Sequence, residues 1–155
     1  MPRVLITGMS GTGKSSALAE LARRGFRVVD TDEPGWCVLR GDEWVWDEER
    51  VAKLLDESPT LFVSGTVSNQ GLFYDRFAAV VLLSAPADVL LERIDTRTTN
   101  DYGKTAEERR LILEHLETVE PLLRATCTHE LDATRPLAET VSELERIATG
   151  SELSP

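Results

Sequence analysis

The chain is 155 residues long, the size of one domain, and its 41% hydrophobic content can bury a core without disulfide or metal staples. Seventeen basic against twenty-seven acidic residues give a formal charge of −10 and a pI near 4.7. That balance excludes a general nucleic-acid binder, which needs a basic face, but leaves room for a local anion site.

Short apolar strands alternate with helical patterns, the signature of a parallel sheet with crossover helices. Strands are predicted near Val4–Thr7, Arg27–Val29, Leu61–Ser64, Val80–Ser84 and His129–Asp132. A helix is predicted from about Lys14 to Arg23, and another from near Pro86. Ile112, Leu116, Val119 and Leu123 then fall on one helical face, with a kink or break at Pro121. Leu137, Val141, Leu144 and Ile147 mark a last helix, with Pro136 in its first turn and Gly150 as its stop. Two stretches fit no simple element. Thr31 to Trp46 carries Pro34, Gly35, Gly41 and all three tryptophans, and Thr96 to Thr105 is polar and turn-forming. Loops of this length inside a domain are candidates for substrate-facing segments.

Cys37 and Cys127 fit no C-x-x-C or Cys/His metal spacing and read as reduced thiols. The longest uncharged apolar stretch, Phe77 to Pro86, falls short of the roughly 20 residues of a spanning helix. With no targeting segment in view, the expectation is a cytoplasmic protein without membrane or nucleic-acid partners.

The sharpest signal lies at the start. Gly8-Met9-Ser10-Gly11-Thr12-Gly13-Lys14-Ser15 satisfies G-x-x-x-x-G-K-[ST], after a strand and before a helix, as the motif requires. Glycines let successive backbone N–H groups turn inward toward phosphate oxygens, and the helix N-terminus adds partial positive charge. Gly8, Ser10, Gly11, Thr12, Gly13, Lys14, Ser15 and Ser16 are therefore the candidate ATP-binding residues. Lys14 is placed to reach the β- and γ-phosphates, and Ser15 to ligate Mg²⁺. Of only three lysines, against fourteen arginines, one stands where the motif demands it.

A P-loop enzyme also needs an acid near the metal, at the carboxyl end of a strand. The strands Leu61–Ser64 and Val80–Ser84 end without one, whereas Phe26-Arg27-Val28-Val29 runs into Asp30-Thr31-Asp32-Glu33. Two carboxylates two residues apart can split the work, one steering magnesium and one accepting a proton. The alternative is a plain turn before Pro34-Gly35.

The P-loop followed by Phe26-Arg-Val-Val-Asp-Thr-Asp resembles the small P-loop kinases of the shikimate kinase and adenylate kinase group. The resemblance implies an α/β three-layer αβα sandwich with a five-stranded parallel sheet in the order 2-3-1-4-5 and a short lid before the last strand. It implies a metal role for Asp30 and an acceptor role for Asp32. The chain departs from shikimate kinases at Ser64-Gly65-Thr66-Val67-Ser68-Asn69-Gln70, where they carry a glycine triplet, and in its lid, Thr99-Asn100-Asp101-Tyr102-Gly103-Lys104. Both departures point to an acceptor other than shikimate.

Arg93 and Arg97, four apart on the helix from Pro86, lead into the lid, with Lys104, Arg109 and Arg110 beyond. Arginines brought in by lid closure neutralise charge on a transferring phosphoryl, while closure excludes water. By resemblance Arg93 contacts adenine or phosphate, Arg97 contacts phosphate, and the run through Arg135 and Pro136 flanks adenine. The alternative is a solvated face paired with Glu92 and Asp95. On the acceptor side, Trp36 offers a ring to stack a base, or the three tryptophans pack a small helical flap. Thr66, Asn69 and Gln70 are candidate hydrogen-bonding partners of the acceptor. His115 reads as surface and His129 as structural.

Together these readings give one kinase domain over 1–155, with an acceptor-side segment near 31–58 and a lid near 96–108. The expected activity is ATP- and Mg²⁺-dependent phosphoryl transfer to a nucleotide or nucleoside, with a non-nucleotide hydroxyl metabolite as the alternative. The other class is a nucleotide switch or slow NTPase. Against it, no N-K-x-D signature is present and the chain is short for an AAA-type module with a helical lid domain. A monomer or homodimer is expected.

Overall fold

In chain order the computed structural model, which describes residues 3–97 and 102–149, runs as follows. β1 (Arg3–Gly8) leads into α1 (Lys14–Arg23) and β2 (Val28–Asp30). Then come β3 (Cys37–Arg40), β4 (Glu43–Trp46), α2 (Glu48–Glu57), β5 (Leu61–Ser64) and a 3-10 helix (Gln70–Arg76). The second half holds β6 (Ala79–Ser84), α3 (Ala87–Thr96), α4 (Ala106–Thr118), α5 (Glu120–Thr126), β7 (His129–Asp132) and α6 (Leu137–Thr149).

Strands buried on both faces need continuous apolar runs, and β1, β5 and β6 have them. They form the centre of a parallel sheet in the order β2-β5-β1-β6-β7, with Val4 opposite both Phe62 and Ala79. Counted along the five strands of this sheet, the order is the expected 2-3-1-4-5. Alternation along the strands feeds two cores. Val4, Ile6, Phe62, Val81 and Leu83 pack on α1 and α6 through Ala17, Leu21, Val141 and Leu144. Leu5, Val63 and Val80 pack on the other face against α2, Trp46 and Phe73, while Leu82 meets Leu90 and Leu123. Helices cover both faces, giving three αβα layers.

Three expectations change. The stretch from Thr31 to Trp46 is irregular only as far as Trp36 and holds no helical flap. It forms an antiparallel hairpin, β3 on β4, with Arg40 opposite Glu43 and the two-residue turn Gly41-Asp42 between. α3 ends at Thr96, so Arg97 is not helical and does not share a helix face with Arg93. The Thr96 hydroxyl bonds back to the Glu92 and Arg93 carbonyls at 3.0 and 3.3 Å, and Arg97 is extended (φ −71°, ψ 147°). The expected break at Pro121 is real, but falls at Val119, one residue before α5, because Pro121 occupies the first turn of a new helix. Residues 98–101 of the expected lid and the expected helix stop at Gly150 lie outside the described residues. Among the described residues, no helix is long and apolar enough to cross a membrane. Cys37 and Cys127 are free thiols, as expected.

Candidate active site

The carboxyl ends of the parallel strands meet at one edge, the place where open α/β sheets bind ligands. β1 ends at Gly8, and the loop Met9–Gly13 turns tightly there because both the N–H and the hydroxyl of Thr12 donate to the Met9 carbonyl, at 3.3 and 2.9 Å. Gly13 caps α1 at φ 92°, ψ 21°, a left-handed conformation that a side chain would strain. α1 thus starts with its free N–H groups facing the loop.

Lys14 folds over this loop, its Nζ donating to the carbonyls of Gly8 (2.7 Å) and Met9 (3.1 Å). Burial pushes the ammonium below its ordinary pKa; Asp32 and Asp30 oppose that shift, and the charge of Arg97 adds to it. Ser15 Oγ donates to Asp30 Oδ2 at 2.9 Å, while Asp30 Oδ1 accepts from the Asp32 N–H at 2.9 Å. One carboxylate therefore joins the P-loop helix to the turn after β2. Asp32 is exposed at the cleft mouth, yet the protein packed around its carboxyl pushes the pKa up; Lys14 opposes this and Asp30 reinforces it.

A cleft of about 440 Å³ opens here, lined by residues 10–16 of the P-loop together with Asp32, Leu83, Arg93, Arg97, Ala133, Arg135, Leu137 and Thr140. Four cations face one carboxylate in a chain whose net charge is −10. The local anion site that composition left open is this one. Arg93 spans it, donating to the carbonyls of Gly11 (3.3 Å) and Ala133 (2.6 Å). Arg97 reaches the Tyr102 carbonyl at 2.6 Å, and Lys104 Nζ caps the Arg97 carbonyl at 2.7 Å. Arg109 pairs with Asp95, and Arg110 with Glu114 at 3.8 Å, outside the cleft. Arg135 lines the cleft while pairing with Glu139 at 2.8 Å; Pro136 does not line it. A second depression, about 380 Å³ along α6, has paired Arg135–Glu139 and Arg146–Glu143 at its rim and contains none of the P-loop.

The donor set fits magnesium nucleotide. Among the described residues no group of three or more His, Cys, Asp or Glu side chains could hold a metal by itself. One hydroxyl and one carboxylate 2.9 Å apart suit an octahedral ion that takes its remaining oxygens from phosphates and water.

Four expected acceptor residues are placed differently. Trp36 lies beneath Arg50, whose guanidinium sits 4.7 Å from the ring centroid and donates to Gly35. Thr66 bonds Gly8 and Thr7 at the base of the P-loop. Asn69 accepts from the Trp46 N–H (3.0 Å) and donates to the Trp46 carbonyl (3.1 Å) and Glu48 (3.2 Å). Gln70, 2% exposed, is taken up by Val67, Thr7 and Tyr74. None of the four lines the cleft; the polar groups of Asn69 and Gln70 serve the framework. Sequence reasoning did not single out Leu83, Leu137 or Thr140. For Leu137 and Thr140, position on α6 just past the Arg135-Pro136 run expected to flank adenine is the available signal.

The sequence matches the family described as AAA domain over residues 4–114, which runs through the P-loop core and into α4. Short as the chain is for an AAA-type module with a helical lid domain, its P-loop core falls under that description. The chain is 32% identical to a putative adenylate kinase of Archaeoglobus fulgidus, over 95% of this chain and 82% of the relative. It is 28% identical to Shikimate kinase 2 of Yersinia enterocolitica, over 93% and 94% respectively. Among solved structures, a gluconokinase from Sinorhizobium meliloti superposes with a TM-score of 0.69 at 25% identity, covering 98% of this chain and 96% of that one. A shikimate kinase from Acinetobacter baumannii in complex with shikimate gives 0.69 at 14% identity, covering 99% and 96%, a likeness of fold. The chain thus belongs to the AAA-domain P-loop family and, by its likeness over nearly its whole length to an adenylate kinase and a shikimate kinase, to the small P-loop kinases, a phosphotransferase.

Proposed function

We propose that this chain, as a single domain, is an ATP-dependent kinase that phosphorylates a nucleotide or nucleoside, with Mg²⁺ as its metal. The observation that carries the reading is the Ser15–Asp30 bond at 2.9 Å, with Lys14, Ser15 and Asp32 lining one cleft. The chemistry that Mg²⁺ would supply when held by Ser15 and Asp30 is neutralisation of charge on the donor phosphates. The backbone of residues 8–13 and Lys14 cradle the phosphates, and Ser15 with Asp30 forms the metal's protein side. Asp32 orients the acceptor and, where the accepting group is a hydroxyl, receives its proton; its raised pKa suits a proton acceptor better than an ordinary aspartate. Arg93 and Arg97 face the phosphates from α3 and its end, and Arg135, Leu137 and Thr140 bound the base of the donor.

Support for the acceptor class comes from the putative adenylate kinase relative and from an exposed aromatic surface on the hairpin, where Trp44 is 63% exposed. A second reading, a non-nucleotide hydroxyl metabolite, draws on the gluconokinase and shikimate kinase likenesses. Incubation with Mg²⁺·ATP and two panels separates them: nucleosides and nucleoside monophosphates in one, sugar-like and shikimate-like alcohols in the other. Mass spectrometry of the products, with Lys14→Ala as control, reads the outcome. A phosphorylated nucleoside or nucleotide, absent in the variant, supports the first reading; product only in the second panel replaces it.

A further inference from the structure

Thr31 lies between the two acids but turns the opposite way. It is 1% exposed, and both its N–H (3.0 Å) and its hydroxyl (2.7 Å) donate to the Ser64 carbonyl at the end of β5. The hydroxyl in turn accepts a hydrogen bond from Trp46 Nε1 at 2.9 Å. Trp46 has no exposed surface; its ring packs edge-on to Phe73 at 5.7 Å, and its backbone N–H and carbonyl are both held by Asn69. Gly65 admits this contact. A Cβ there would stand 2.3 Å from Thr31 Oγ1 and 3.2 Å from Trp46 Nε1, so any other residue would break the bond. Asp30 and Asp32, pinned at the residue between them, face the P-loop side, Asp30 on Ser15 and Asp32 in the cleft.

We propose that Trp46 is a positioning residue for phosphoryl transfer, its buried indole N–H locking Thr31 and thereby fixing the splay of Asp30 and Asp32 toward Ser15 and Lys14. The inference rests on the assignment of metal and acceptor roles to those two acids. Because Trp46 ends the hairpin and Asn69 follows β5, the lock ties the hairpin to the turn that carries the two acids, through the amide of Asn69 on the Trp46 backbone and the Trp46 indole on Thr31. A buried hydrogen bond that holds a catalytic carboxylate shows its effect in turnover rather than in the affinity for the free nucleotide.

The test uses the full chain with Mg²⁺·ATP and ADP as probes. Trp46→Phe removes the N–H while keeping an aromatic ring, Thr31→Val removes the hydroxyl at nearly constant shape, and Thr31→Ser keeps it. ADP release from Mg²⁺·ATP is expected to fall about tenfold in Trp46→Phe and Thr31→Val, the size of one lost buried hydrogen bond. ADP affinity in EDTA should hold within about twofold, since no partner of the phosphate cradle changes. Thr31→Ser should recover to within about threefold of the parent, and the double variant should be no slower than either single one. Unchanged turnover in Thr31→Val, or equal loss in Thr31→Ser, overturns the proposal. Should Trp46→Phe fail to fold, the Thr31 pair carries the same test. Asp30→Asn separates the layers: if it keeps the full magnesium response, the assignment of the acids falls, whereas a loss there with none in Thr31→Val removes only the positioning role.

Discussion

The donor side and the acceptor side of the cleft are built by different physics. The donor side is made of backbone: a glycine-rich turn, a helix N-terminus, and one lysine bonded to the loop's own carbonyls at 2.7 and 3.1 Å. The framework beside it, on the side proposed for the acceptor, is held by side chains: Asn69 on the backbone of Trp46, the Trp46 indole on Thr31, and Gln70 on Thr7 and Tyr74. Backbone geometry recognises any nucleotide phosphate, so it is shared across P-loop proteins. Side-chain networks are particular, and exchanging one rebuilds a pocket without disturbing the sheet. A fold can therefore keep its donor and change its acceptor.

That contrast predicts unequal losses. Lys14→Ala removes the charge at the centre of the cradle and is expected to lower turnover about a thousandfold, read as ADP release at saturating acceptor. Asp32→Asn should cost about a hundredfold in kcat with the KM for ATP held within about twofold, because the donor side is intact. The same variant has a stability signature in metal-free protein. Asp32 binds its proton more tightly in the native state than in the unfolded chain, so its contribution is favourable below the ordinary carboxylate range and is lost as pH rises through the raised native value. At neutral pH the amide is thus expected to keep or raise Tm while removing turnover. Should Asp32→Asn instead raise the KM for ATP, the division into two sides breaks.

Smaller effects sharpen the contrast. Asn69→Ala removes three hydrogen bonds that hold Trp46 and Glu48 and should lower stability by about 2 kcal/mol in urea unfolding, leaving ADP affinity unaltered. Arg110→Ala, an exposed pair with Glu114 at 3.8 Å, should change neither stability by more than about 0.5 kcal/mol nor turnover.

The two sides also differ in how far they could be read from residues. The P-loop, α1, β5 and β7 were legible to the residue because each rests on local pattern: a glycine motif, an apolar run, a helical period. The hairpin has its own signal in the sequence. Cys37-Val38-Leu39-Arg40 and Glu43-Trp44-Val45-Trp46 flank Gly41-Asp42, the composition of a two-residue hairpin turn. Proline and glycine at 34 and 35 masked it by suggesting a loop. Arg97 leaves its helix after Thr96, whose hydroxyl bonds back to the Glu92 and Arg93 carbonyls, a boundary that i, i+4 counting does not see. Asn69 and Gln70 were recognised as polar residues beside the site, but whether an amide faces a ligand or its own framework depends on what lies across it. For Asn69 that is Trp46, twenty-three residues away in sequence. Such pairings are long-range, and one sequence carries no local trace of them.

The division of labour is tested most directly by ADP release at fixed Mg²⁺·ATP while the best acceptor is titrated, in the parent and in Asp32→Asn. The account predicts stimulation of at least about tenfold in the parent, abolished in the variant, with acceptor-independent release equal in both. A parent rate indifferent to every acceptor would contradict it and describe a slow NTPase instead.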